Sequence, residues 1–123
     1  MVSFIAGVLL KLLGGWDIPL ETLVIFMCID YATGVFAAYK CRELSSGEGF
    51  RGILKKFAVL CIIMLGTRVD VLIGTDYIRD AVCMMYIVNE SLSIIENAGI
   101  MGVPVPEQLK AAVKALKSRG GDV

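Results

Sequence analysis

Asp30, Arg68, Asp70, Asn89 and Glu90 all fall inside long apolar runs of this 123-residue chain. A charge at the centre of a bilayer costs about 2.5–3.5 kcal/mol on insertion scales, so such groups pair or face water. The chemistry they offer is electrostatic. Opposite charges on neighbouring helices can lock a seam, or line a hydrated lesion once that seam opens. Catalysis is a poor fit. The chain has no histidine, which excludes His-based triads and His-ligated metals. Cys28, Cys41, Cys61 and Cys83 form no CxxC pair, and three lie in apolar runs where cysteine acts as a small buried hydrophobe. Asp30 and Asp70 lack the flanking motif of an aspartate dyad, so no enzyme activity, cofactor or metal is expected. Twelve basic residues balance twelve acidic ones, leaving no basic excess for nucleic acid.

The elements that must position these residues are helices. The chain is 57% hydrophobic, against about 45–50% in ordinary soluble domains, and its mean hydropathy is +0.76. A small soluble domain has too little interior to hide that excess. Four apolar segments stand out: Val2–Gly15, Leu20–Tyr39, Phe57–Gly74 and Ile78–Ala98. None alternates with period two, and a lone strand in hydrocarbon would leave its backbone unpaired. Spanning helices need roughly 17–25 residues, a length that the last three segments meet. In the first segment, Ser3, Gly7, Lys11 and Gly14 share one face, which fits either a short packed span or an interfacial helix. The expectation is an all-α integral membrane protein with 3–4 transmembrane helices. Residues 1–103 form the membrane-embedded domain, and 104–123 a cytoplasmic basic amphipathic tail.

Orientation follows the lysines and arginines. Five lie in the loop from Lys40 to Lys56, four lie in the tail from Lys110 to Arg119, and the connections near Trp16 and Gly74 are acidic. Both basic regions therefore face the cytoplasm, with the C-terminus inside. Arg68 is six residues from Gly74, about 9 Å deep at the helical rise, whereas Asp30 and Glu90 lie roughly 13–18 Å deep. A long arginine spans that gap, so Arg68 is expected to pair with one of them. Thr33, Gly34 and Ala38 follow Asp30 on one helical face, and Gly34-x-x-x-Ala38 permits close backbone approach within or between chains. Glu90, Ser93 and Asn97 share a face of the last apolar segment, with Asn89 and Glu96 nearby. Past Pro104 and Pro106, Leu109, Val113 and Leu116 form an apolar face opposite Lys110, Lys114 and Lys117, suited to an anionic leaflet. The end, SRGGDV, is expected to be disordered.

Three blocks in this order carry a resemblance: Asp30-Tyr31-Ala32-Thr33-Gly34, then Leu44-Ser45-Ser46, then Gly52-Ile53-Leu54-Lys55-Lys56. With the stretch from Asn89 to Lys117, they resemble the phage holin family that includes toxin-secretion and lysis proteins, over roughly residues 29–117. The resemblance implies a protein of the bacterial cytoplasmic membrane that gathers in the lipid bilayer and self-associates into homo-oligomers. It then opens timed lesions that release an endolysin or a toxin, with no direct contact to that cargo required. It carries over no catalytic residue. Asp30, Thr33, Gly34, Asn89, Glu90, Glu96, Asn97, Pro104 and Pro106 match as structural or assembly positions. The second methionine is Met27, so a dual start adding only a few residues is not expected. The alternatives are a small channel or transporter, and an accessory or antiholin-like subunit that does not permeabilise.

Overall fold

The computed structural model describes residues 1–121, with side chains through Arg119. Five helices and no strand occur among the described residues: α1 (Val2–Leu12), α2 (Ile18–Lys40), α3 (Ser46–Ile73), α4 (Ile78–Met101) and α5 (Glu107–Gly121). Each boundary has a local cause. The Asp17 carboxylate accepts from the Leu20 amide at 3.2 Å, and Pro19 occupies the first turn, so α2 starts there. Ser45 caps α3 through the Glu48 amide at 3.4 Å. Gly74 and Gly102, at φ of 74° and 80°, end α3 and α4 in the left-handed conformation that glycine adopts without strain. The N-terminus of α4 is capped from another helix. Asp70 of α3 accepts from the Ile78 and Arg79 amides at 3.0 and 2.9 Å, and from the Thr75 hydroxyl at 2.6 Å.

Two expectations change here. The basic stretch from Lys40 to Lys56 is a short connection followed by three turns of α3, because the Ser45-Ser46-Gly47-Glu48 cap starts the helix well before the apolar run. At the C-terminal end, Ser118–Gly121 continue α5 instead of being disordered; residues 122–123 lie outside the described residues.

α4 is the central element, packed against α2, α3 and α5, whereas α2 and α3 scarcely touch. The apolar interior is small: Leu13, Leu20, Leu23, Met27, Ile63, Cys83 and Ile87. Outside it the usual arrangement is inverted. Asp70, Arg79, Glu90 and Ser91 are buried, while Phe4, Phe36, Phe57, Leu65 and Leu72 are exposed. The surface totals 8451 Å², against roughly 6,500 Å² for a compact soluble monomer of this mass. Among the described residues one helix, α2, is long and apolar enough to cross a membrane by length and composition alone. In α3 and α4 the embedded charges dilute the apolar average.

Gly14 and Gly15 turn the chain between α1 and α2 at φ of 90° and 96°. A Cβ on Gly15 meets nothing within 4 Å, whereas one on Gly14 would stand 2.9 Å from Arg79 Nε and 3.2 Å from Thr67 Oγ1. Gly15→Ala should therefore cost only backbone strain, roughly 1–2 kcal/mol. Gly14→Ala should add roughly 1–3 kcal/mol for displacing a packed neighbour. Thermal unfolding of the two variants in the same detergent reads the difference. Equal melting temperatures would rule out the close packing of Gly14 on Arg79.

Candidate functional site

The polar groups gather at two ends of the bundle. At one end, Lys56 in the third turn of α3 reaches two carboxylates on different helices. Its Nζ lies 2.8 Å from Asp30 Oδ2 on α2, and 3.1 and 2.9 Å from the two oxygens of Glu90 on α4. All three side chains are mostly buried. Asn97, two turns beyond Glu90, donates to the Asp30 carbonyl at 3.2 Å, to Asp30 Oδ1 at 3.0 Å and to Thr33 Oγ1 at 2.9 Å. The Thr33 hydroxyl in turn donates to the Ile29 carbonyl at 2.8 Å. One ammonium thus holds two carboxylates, and an amide fixes the orientation of one of them. Charges this close and this shielded interact far more strongly than exposed pairs do.

Beside this cluster a cavity of about 430 Å³ opens between α2, the first turns of α3, and α4. Gly34 and Ala38 of α2 face Gly49 and Gly52 of α3 across it. Small residues on both walls let Tyr31 reach over, its hydroxyl 3.2 Å from where a Cβ of Gly49 would lie. Asn89 and Ser93 also line the cavity.

At the opposite end Arg79 ties four segments together. Its guanidinium donates to the carbonyls of Leu13 and Gly15 at 2.9 and 3.0 Å, to Asp17 at 2.6 Å and to Asp80 at 3.0 Å. Its backbone is held by Asp70. The planar five-donor fork of arginine suits this many-sided clasp, which a lysine cannot reproduce. Partial desolvation works to raise the Asp17 carboxyl, but the hydrogen bonds from Arg79 and the Leu20 amide outweigh it and hold Asp17 below its usual 3.8. Among the described residues every buried side-chain polar atom has a partner, and no group of His, Cys, Asp or Glu is arranged to hold a metal.

The expected partner of the intramembrane carboxylates is therefore corrected. Arg68 is exposed on the surface of α3, and Lys56 takes the place assigned to it, because α3 runs through the stretch read as a loop. Of the other candidates, Asp30, Thr33, Gly34, Ala38, Asn89, Glu90, Ser93 and Asn97 come together at the cavity or its cluster. Asp70 serves as a helix cap at the far end, and Glu96 is exposed. Lys56, Arg79 and Asp17 were missed. The signal for Lys56 was the capping box at Ser45, which places it inside a helix.

Comparison with known proteins bears on what such a bundle does. The sequence profile of the bacteriophage holin family matches residues 7–118. A 14.9 kDa uncharacterised protein from the nagH 3' region of Clostridium perfringens is 44% identical over 108 residues, covering 86% of this chain and 82% of the relative. The uncharacterised protein Lin0175 of Listeria innocua is 40% identical over 112 residues, covering 90% of this chain and 80% of its own length. A probable holin of Bacillus phage phi105 is 28% identical over 100 residues, covering 80% and 74%. No solved structure matches.

Proposed function

Because the chain belongs to the bacteriophage holin family, we propose that it is a non-enzymatic protein of the bacterial cytoplasmic membrane that self-associates and opens it at a set time. The observation that carries this reading is the inverted distribution of polarity. Carboxylates, an arginine and a lysine occupy the interior, and phenylalanines and leucines cover the outside. Water would penalise both arrangements, whereas lipid favours both.

In this proposal α2, α3 and α4 are three spans. α1 lies on the outer interface, since its 11 residues reach only about 16 Å at the helical rise, half of a ~30 Å core. Exposed Trp16 and Tyr77 sit at the outer end and exposed Tyr39 at the inner one, as interfacial aromatics do. The connection after α2, the first turns of α3, and α5 face the cytoplasm. While the protein is dilute, the Asp30–Lys56–Glu90 cluster stays closed within each protomer. Above a critical density protomers exchange those internal contacts for contacts with neighbours, and polar faces turn toward water. An endolysin or a toxin then leaves through the lesion.

Induction in bacteria, with membrane potential and release of a signal-less murein hydrolase followed through time, tests this. The expected result is a delay, then abrupt depolarisation and hydrolase release together. Depolarisation without release would instead identify a small ion channel. Accumulation in the membrane with neither event would identify an accessory or antiholin-like subunit.

A further inference from the structure

The first turns of α3 carry two unlike faces. Gly49, Gly52 and Lys56 line the cavity, with Lys55 at its rim. On the other side Phe50, Ile53, Leu54 and Phe57, spaced three, one and three residues apart, are all exposed. They make one apolar stripe along three turns. Arg51 and Lys55, four residues apart and both exposed, border it on one flank. From the sequence, the C-terminal tail is either a leaflet attachment or an ordinary solvated tail. In the structure α5 packs on α4 and Val113, at the centre of its apolar face, is buried. The stripe on α3 has no such cover.

Length points the same way. α3 has 28 residues, about 42 Å, which exceeds a ~30 Å hydrocarbon core by about 12 Å, or eight residues. Counted from the outer end at Ile73, the excess is Ser46–Ile53, the segment that holds the start of the stripe. The stripe extends toward exposed Cys61, Leu65 and Leu72 farther along α3, interrupted on that face by exposed Arg68, and this is the face that meets lipid in the proposed topology. A helix too long for its bilayer tilts or lays its end along the interface, and an apolar stripe with a basic border is the form that lies on an anionic surface.

We propose that Ser46–Leu54 is an interfacial arm, which lies on the anionic cytoplasmic leaflet with Phe50, Ile53 and Leu54 in the acyl boundary and Arg51 and neighbouring Lys55 on lipid phosphates. The arm is one wall of the cavity beside Asp30 and Glu90, so leaflet charge bears directly on how wide that cavity stands. This inference rests on the membrane reading above.

The test uses the full chain with exposed Cys28, Cys41 and Cys61 replaced by alanine, carrying Leu54→Cys on the stripe or Glu48→Cys at the cavity mouth. Both are reconstituted in vesicles of phosphatidylcholine alone or with phosphatidylglycerol, and flotation first establishes that the protein is in the bilayer. Labelling by a water-soluble maleimide should be slow at Leu54→Cys only with phosphatidylglycerol, and fast at Glu48→Cys in both. Two bases near an anionic surface predict a difference of up to roughly thirty-fold at Leu54→Cys. Arg51→Gln with Lys55→Gln should abolish it. Labelling of Leu54→Cys as fast as Glu48→Cys in both vesicles overturns the proposal, as does protection that ignores phosphatidylglycerol. Protection that fades when the protein is diluted in lipid assigns the stripe to a second copy and overturns it too. Failure to float with the vesicles would overturn the membrane reading itself.

Discussion

Lys56→Met should be the most damaging single substitution at the end of the bundle that holds the cavity. Methionine keeps the aliphatic stem and removes the one cation that Asp30 and Glu90 share at 2.8 and 2.9 Å. Two carboxylates are then left side by side, largely shielded from water. Removing one partner of a buried ion pair costs about 3–5 kcal/mol, mostly through the uncompensated charge left behind. The variant should lose that much stability to denaturant in detergent micelles and accumulate poorly. Adding Asp30→Asn and Glu90→Gln should restore most of the loss, because the amides keep the shape and the one at position 30 can still accept from Asn97. A triple variant no better than the single would show that Lys56 acts by packing, not charge. At matched accumulation, Lys56→Met should also bring depolarisation forward, since the contacts that keep the resting protomer closed are gone. Unchanged timing would separate this cluster from triggering.

Arg79→Lys should do comparable harm at the opposite end, despite preserving the charge. Four acceptors surround the guanidinium: the Leu13 and Gly15 carbonyls, Asp17 and Asp80. A single ammonium on a shorter reach satisfies one or two of them. Stranding shielded carbonyls and losing charge-assisted bonds should cost at least roughly 3 kcal/mol. The loss should concentrate in the corner between α1 and α2, so hydrogen exchange across residues 10–20 should rise before the rest of the bundle responds. A uniform rise would mean that Arg79 supports global stability alone. Acid should reproduce a milder version. Asp17 is held below 3.8 in the folded protein, so its contribution is fully present above that pH and fades as pH falls from there through the folded value.

How much of this was legible in the sequence depends on whether a residue interrupts an apolar run. Asp30, Glu90, Asn97 and the Gly34–Ala38 stripe were visible because a polar group stood where lipid-facing residues were due, and helical spacing set them on shared faces. Lys56 escaped because it closes a basic stretch, and in a sequence a basic stretch beside an apolar run looks like a loop. Only the cap at Ser45 turns it into helix and brings the lysine to the carboxylates. The depth argument for Arg68 was sound along the axis but silent about azimuth, and azimuth sends its side chain outward. Arg79 was hidden for a different reason. Its burial depends on the positive φ of Gly14, which aims the Leu13 and Gly15 carbonyls at one point, and no local pattern in the chain announces that.

The clasp at Arg79 and the cavity at the other end make the bundle mechanically unequal. Near Gly66 the backbones of α3 and α4 are so close that a Cβ there would stand 3.3 Å from Arg79 Cα, while toward Ser46 a cavity of about 430 Å³ opens between α3 and its neighbours. α3 is thus a lever with its fulcrum near Gly66, toward the Arg79 end of the bundle. Ser46 is 20 residues from Gly66, about 30 Å along the axis, so a rotation of roughly ten degrees carries the tip about 5 Å. Displacements too small to detect at the fulcrum become, at the Ser46 tip, as wide as a side chain. In the proposed topology, lateral pressure from crowded neighbours would be amplified on the face that holds this tip and not on the other.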